Sequence, residues 1–328
     1  MPHIKGFDLI GDVHGCAVSL GMLLERLGYR LERGVYRHCE RQALFVGDII
    51  DRGPRIRESL HLVRNMVEAG TAQVVMGNHE YNFLCYCTPG RPGSGLEYLR
   101  SHTSRHHRVL KETLDAFEFY PQEQHDFLAW IRDMPIFLEF EHFRVIHACW
   151  PQALLDRFSR EYGGNRITED FLHRSVDLGS FERELMDRAL RGTHMKLPNG
   201  AVITSTDGFQ RHYFRTKFWA ESAECYGDVV FQPDPLPDEV AGMALSAADR
   251  EQLLHYGEDE KLLFVGHYWR NGEPVPITAN IACLDYSAVK FGKLVAYRYD
   301  HEARIDPAKF VWVDVDRELC SPESGEVL

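Results

Sequence analysis

Phe7-Asp8-Leu9-Ile10-Gly11-Asp12-Val13-His14-Gly15 decides the fold: a short apolar run stops abruptly at glycine and at two side chains able to hold a metal. The same shape recurs four times. Ala43-Leu44-Phe45-Val46 runs into Gly47-Asp48-Ile49-Ile50-Asp51-Arg52-Gly53, and Ala72-Gln73-Val74-Val75-Met76 into Gly77-Asn78-His79-Glu80. Phe143-Arg144-Val145-Ile146 ends at His147, and Leu262-Leu263-Phe264-Val265 at Gly266-His267. Apolar runs this short suit buried strands rather than helices. Glycine at the exits suits places where a backbone must come close to something else.

Between the runs, the spacing of apolar residues predicts helices over 17–29 and 54–69, the second with Pro54 in its first turn and Gly70 at its end. Strand–helix–strand alternation from 7 to 76 argues for an α/β layer whose ligand-bearing loops lie at the strands' carboxyl ends. Residues 88–95 are rich in turn formers, and the chain then turns basic and histidine-rich from Arg100 to Lys111. Residues 151–258 read as mixed, with helices near 152–162 and 246–256, the latter capped by Ser246, and strand-like pieces around 200–219. The expectation is one domain over 1–316, decorated by insertions near 88–140 and 151–258. Short antiparallel strands close it at 289–316, and a fraying tail follows over 317–328.

The bulk composition excludes several classes. With 328 residues, 44% hydrophobic and 26% charged, the chain is long enough for a large core and is neither disordered, collagenous nor coiled-coil. Lys plus Arg (37) against Asp plus Glu (49) leaves a net charge of −12, which disfavours nucleic acid and anionic membranes as partners. No stretch is long enough for a bilayer span, and the N-terminus lacks a signal-peptide pattern. The 8 cysteines form no Cys-x-x-Cys pair, which fits a reducing cytoplasm better than a disulfide framework or a zinc knuckle.

Carboxylate, amide and imidazole donors together suit hard or borderline divalent ions. Asp12, His14, Asp48, Asn78, His147 and His267 are the candidates. Only Asp12 and Asp48 carry negative charge, so two divalent ions there leave a positive site that wants an anion such as phosphate. Two such ions, roughly 3.5–4 Å apart, clamp the oxygens of an in-line displacement and acidify a bridging water. His79 is then the acid for the leaving group, Asp51 orients its ring, and Arg52 holds phosphoryl oxygens.

The blocks GDVHG, GDIIDRGP and GNHE, in this order, resemble the calcineurin-like metallophosphoesterases. The Asp-Arg-Gly and Asn-His-Glu blocks look like the phosphoprotein-phosphatase-type branch, which includes Ser/Thr protein phosphatases and bacterial symmetrical bis(5′-nucleosyl)-tetraphosphatases. The resemblance implies a β-sandwich flanked by helices (αββα), with a dinuclear metal site at the strand carboxyl ends. It implies one ion on Asp12, His14 and Asp48, a second on Asp48, Asn78, His147 and His267, and His79 as acid paired with Asp51. The donor set admits manganese, iron, zinc or cobalt, with manganese favoured. Two features depart from the family pattern. His147 is followed by Ala148-Cys149-Trp150 where glycine is usual, and the second phosphate-binding arginine has no clear counterpart. Arg215 is the candidate, with Arg211 and Lys217 as rivals.

Several neighbours have blander readings. Glu80 reads as a structural hydrogen-bonding residue, Cys149 as a buried inert thiol, and the basic 100–111 stretch as a solvated helix face that could instead hold a phosphate group. Tyr268, Trp269 and Trp150 suit either core packing or stacking on a nucleoside. The expected activity is hydrolysis of phosphate esters or anhydrides, on a nucleotide-like polyphosphate such as a dinucleoside tetraphosphate or on a phosphomonoester. Ser/Thr protein phosphatase is the alternative, and a phosphodiesterase or nuclease ranks below it.

Overall fold

In the computed structural model, which describes residues 4–204, 210–231 and 236–316, all five apolar runs form strands. The chain begins with β1 (Gly6–Ile10), α1 (Ala17–Arg26), a hairpin of β2 (Arg30–Glu32) and β3 (Val35–Arg37), β4 (Arg41–Phe45), α2 (Ile56–Glu68) and β5 (Ala72–Val74). Strands β1, β4 and β5 run parallel, with Leu9 opposite Leu44 and Phe45 opposite Val74. Helices α3 (Asn78–Cys87), α4 (Ser104–Phe117) and α5 (Pro121–Arg132) lead into antiparallel β6 (Phe137–Glu139) and β7 (Phe143–Ile146).

Helices α6 (Gln152–Tyr162), α7 (Glu169–Arg174) and α8 (Phe181–Arg191) follow. Next come β8 (Thr193–Lys196), β9 (Ile203–Thr204), β10 (Gln210–Arg211), β11 (Tyr213–Thr216), α9 (Tyr226–Val229), β12 (Val230–Phe231), α10 (Asp238–Ala241) and α11 (Ala247–Gln252). The chain closes with β13 (Leu262–Val265), β14 (Ile281–Cys283), β15 (Asp285–Tyr286), β16 (Lys293–Tyr299) and β17 (Phe310–Asp314). One sheet has the order β15-β16-β1-β4-β5, with β17 also on β16, and the other has the order β14-β13-β7-β6.

Successive residues of a strand point to opposite faces, and here both faces are buried. Leu9, Leu44, Val145, Phe264, Ala282, Val295 and Tyr297 meet in one cluster drawn from both sheets. Their chain neighbours Ile10, Phe45, Ile146, Val265, Cys283 and Ala296 belong to a second cluster with helix residues such as Leu20, Leu60, Phe158 and Leu185. The layers are therefore helix, sheet, sheet, helix. Double burial is also why the strands read as unbroken apolar runs.

A third, smaller cluster of Met195, Leu197, Phe214, Val229, Val240 and Leu245 belongs to the sheet β12-β11-β8, inside the region read as the later insertion. Helices 152–162 and the antiparallel β16–β17 pair match the sequence reading. Others are shorter than expected. Helix α1 ends at Arg26, because the chain turns left-handed at Gly28 (φ 91°). Helix α2 starts only at Ile56, because Asp51 and Arg52 are themselves left-handed (φ 68° each) and keep Pro54 in the loop. Ser246 does cap α11, accepting from Asp249 N at 3.1 Å, but that helix stops at Gln252. The tail over 317–328 lies outside the described residues. No helix among those described is long and apolar enough to cross a membrane.

Candidate metal centre and active site

Five of the proposed site residues hold left-handed backbone without being glycine: His14 (φ 45°), Asp48 (52°), Asp51 and Arg52 (68° each) and His267 (62°). Such conformations cost about 1–3 kcal/mol each and persist only where the surroundings over-determine them. Here the loops hold one another. Val13 N and His14 N both donate to Asp48 O (3.0 and 2.9 Å), and Gly15 N donates to Ile49 O at 2.8 Å. The Glu80 carboxylate accepts from Asp48 N (2.8 Å), Gly77 N (2.9 Å), Ile49 N (2.7 Å) and Ile50 N (3.2 Å). It is the structural residue expected from the sequence. Gly77 is required by close approach, since a Cβ there would lie 2.2 Å from Asp48 Oδ1. Glu80→Gln turns one of the two acceptor oxygens, each of which serves two backbone N–H groups, into an NH₂ that faces N–H donors. It should destabilise the fold by about 2–3 kcal/mol, the range for buried hydrogen bonds to a charged group. Urea denaturation would measure this, and an unchanged midpoint would refute it.

The loops bring together all six residues proposed as ligands. Asp48 Oδ2 lies 3.3 Å from His147 Nε2, 3.7 Å from His14 Nε2 and 3.8 Å from His79 Nε2. Asn78 Oδ1 faces His267 Nδ1 at 2.7 Å and His147 Nε2 at 3.2 Å. Asp12 Oδ2 accepts from His267 N at 3.2 Å, while its Oδ1 is buried with no partner. Donor atoms of Asp12, Asp48 and His147 all lie within 4.8 Å of one another, as do those of His14, Asp48 and His79.

These residues fit a metal pair on three grounds. First, the far nitrogen of each ring lies against a backbone carbonyl: His14 Nδ1 on Ile50 O (2.8 Å), His147 Nδ1 on Val46 O (2.8 Å) and His267 Nε2 on Arg191 O (3.1 Å). That contact takes the ring proton and turns a lone pair inward. Second, the Asn78 oxygen faces two of those lone pairs. Reversing the amide would let its NH₂ donate to both rings, whereas a cation held between them would take the amide oxygen. Third, the orphaned Asp12 oxygen needs a partner.

The ionisation of these groups follows from burial and from one another. Burial alone would raise Asp48, but His147, His79 and His14 hold its carboxyl well below the ordinary range. Burial alone would lower His147, but Asp48 lifts it to about 10. Burial, helped by the His79 charge, pushes His14 down to about 3. Metal ions and protons compete for donors of this kind.

Beside the ligands, His79 Nδ1 lies 2.5 Å from Asp51 Oδ2. Asp51 Oδ1 accepts from the Thr113 hydroxyl, whose oxygen in turn accepts from Asp51 N at 3.1 Å. Asp51 is thus bound to His79, and among the described residues it forms no bridge to Arg52. The whole opens into a cavity of about 630 Å³. Asp12, His14, Asp48, Asn78, His79 and His267 line it, while His147 lies buried behind.

Its walls carry five cations, Arg52, Arg108, Arg211, Arg215 and Lys290, beside the acids Glu112 and Asp285. Arg215 donates to His267 O at 3.3 Å, and burial pushes its guanidinium pKa down. Arg211 shares the cavity, whereas Lys217 faces Asp228 O, away from it. Trp269 lines the cavity with the Lys290 ammonium 4.6 Å from its ring. Tyr268 and Trp150 do not; both are buried, Tyr268 against Phe218 and Trp219 and Trp150 against Phe137. Cys149 is buried on Arg188 O (3.0 Å), and burial pushes its thiol up to about 12. Sequence reasoning missed Thr113, Glu112 and Asp285. The last, an acid stopping the run Ile281–Leu284, repeats the pattern that revealed the others.

The calcineurin-like phosphoesterase family profile matches residues 7–186, more than half of the chain, and the chain belongs to that family. It is 34% identical over 153 residues to the asymmetrical bis(5′-nucleosyl)-tetraphosphatase PrpE of Oceanobacillus iheyensis, covering 46% of this chain and 58% of that one. The chain thus spans little more than half the length of that relative. With the symmetrical bis(5′-nucleosyl)-tetraphosphatase of Actinobacillus succinogenes it shares 24% identity over 301 residues, 89% of this chain and 92% of the other. Among solved structures, a Saccharomyces cerevisiae protein serine/threonine phosphatase superposes with a TM-score of 0.48 at 14% identity, covering 96% of this chain and 81% of that one.

Proposed function

We propose that this chain hydrolyses phosphate esters or anhydrides with two divalent ions, one on Asp12, His14 and Asp48 and the other on Asp48, Asn78, His147 and His267. The observation that carries this reading is Asp48, the side chain common to both groups of converging donors. When bound, the ions would supply Lewis acidity and a nucleophile drawn from solvent near neutral pH. Manganese is the proposed metal, with iron, zinc or cobalt also compatible with the donors.

The chain's own groups do the rest. Arg52 and Arg215, on the cavity wall, orient the phosphoryl group through its non-bridging oxygens. His79 delivers a proton from Nε2 to the departing oxygen, while Asp51, fixed by Thr113, holds Nδ1. The proposed substrate is a nucleotide-like polyphosphate such as a dinucleoside tetraphosphate. Five cationic side chains beside one accessible indole suit several phosphates followed by a base, and two relatives are named for that activity. The free state of the described cysteines supports a cytoplasmic setting.

Assaying the manganese-loaded protein against diadenosine tetraphosphate, a phosphopeptide and p-nitrophenyl phosphate tests the reading. Fastest turnover of the dinucleotide is expected. A phosphopeptide preference would make the chain a Ser/Thr phosphatase, and inertness toward all three would sink the proposal. Trp269→Ala should raise KM for diadenosine tetraphosphate about tenfold, within the ~1–3 kcal/mol of a base–aromatic stack. It should leave p-nitrophenyl phosphate nearly untouched, and an equal loss on both substrates would remove the stacking role.

A further inference from the structure

A second cavity, of about 200 Å³, lies among α3, α4 and α8. Tyr81, Arg100, His106, Ser175, Arg183 and Arg191 line it, and it shares no lining residue with the central cavity. Its volume far exceeds the roughly 15 Å³ that suffices for one water. Three guanidiniums meet there against a single carboxylate, Asp187. That carboxylate is already engaged: Arg191 Nη1 donates to it, and Arg183 Nε stands 3.7 Å away. Arg191 also donates to Asn82 Oδ1 (2.7 Å), and Arg183 to Val176 O (3.1 Å).

Arg100 has no such arrangement. Its Nε is buried without a hydrogen-bond partner, and no carboxylate pairs with it among the described residues. Burial, with Arg191 nearby, pushes its pKa down, so the fold holds this charge at a cost. A partly desolvated cation without a counter-charge is costly unless something else satisfies it. A planar guanidinium with a free N–H edge matches the oxygens of phosphate. The Tyr81 and Ser175 hydroxyls on the same wall are already engaged, Tyr81 with Ser175 at 2.7 Å and Ser175 Oγ donating to Leu172 O at 2.6 Å, so the arginines carry the site.

We propose that this cavity is a second, separate phosphate site, in which Arg100, Arg183 and Arg191 close on a phosphate dianion. The excess of two positive charges over Asp187 matches such a dianion. The site does not depend on the chemistry assigned to the central cavity. Its volume admits a phosphate ion or the phosphoryl end of a nucleotide.

Calorimetric titration of inorganic phosphate into the full chain tests this. Two classes of site are expected. Arg52→Ala should weaken one, at the central cavity. Arg100→Gln should weaken the other at least tenfold and leave the first unchanged, and Arg183→Gln should do the same if Arg100→Gln does not fold. In the Arg52→Ala protein, ADP displacing phosphate from the remaining site identifies a nucleotide's phosphoryl end as its occupant. Failure to displace it identifies the free ion, and the site stands in both cases. Should variants with the parent melting temperature keep the parent's stoichiometry and affinity, or should the Arg52→Ala protein bind no phosphate, the proposal is overturned. Neither result bears on whether the central cavity hydrolyses a substrate.

Discussion

Asp48→Asn is expected to lower kcat/KM by at least ~10⁴-fold, about 5.4 kcal/mol at 1.36 kcal/mol per decade. It should also abolish the thermal stabilisation that added manganese gives the parent. The substitution is nearly isosteric, so the packing that buries Asp48 survives and Oδ1 can still accept from His79 N, now at 3.0 Å. What is lost is charge. Asp48 supplies one of only two negative charges in the proposed ligand set, and both donor groups share it. Ligand-induced stabilisation follows occupancy, about 2.7 kcal/mol at a hundred times Kd. A flat melting temperature across a manganese titration would therefore report loss of the ions rather than loss of fold. Parent-like activity with parent-like metal content would remove Asp48 from the centre.

The same physics explains what could and could not be read beforehand. Asp12, Asp48 and Asn78 follow glycines that end apolar runs, and a doubly buried strand leaves little else at its end for a polar residue to do. The runs by themselves argued an α/β layer, and the sandwich was legible only through the family resemblance of the motifs at their ends. Thr113 was not legible. A threonine within an amphipathic helix has no distinguishing local pattern, and it matters only because α4 packs across α2 and reaches Asp51. The basic stretch was legible as charge but not as geometry. Arg100 precedes the cap at Thr103 and enters one cavity, whereas Arg108, a turn into α4, faces the other. Tyr268 and Trp269 are adjacent yet part company. The left-handed turn at His267 sends the tyrosine into the core and the indole to the cavity wall. Only a backbone reversal that no side-chain pattern announces separates core from site.

His79→Asn should separate the acid from the metals. The Asn amide cannot deliver a proton to a departing oxygen, so turnover of a substrate with a poor leaving group should fall by ~10²–10⁴-fold, the usual worth of general acid catalysis. p-Nitrophenyl phosphate has an activated leaving group that departs without a proton, and its turnover should fall far less. Metal content should hold, because the proposed ligands are untouched. His79 Nε2 nevertheless lies 3.8 Å from Asp48 Oδ2, inside a group of donors able to hold an ion. If the ring were a ligand instead, both substrates would suffer equally and metal would be lost. Asp51→Asn and Thr113→Val extend the test along the chain of contacts. Asp51 holds His79 Nδ1, and Thr113 holds the other Asp51 oxygen. Each should therefore reproduce the leaving-group dependence of His79→Asn in weaker form, Thr113→Val the weakest. A merely structural role would lower stability and slow both substrates in proportion. A graded loss confined to poor leaving groups is what a proton donor held at Nδ1 requires.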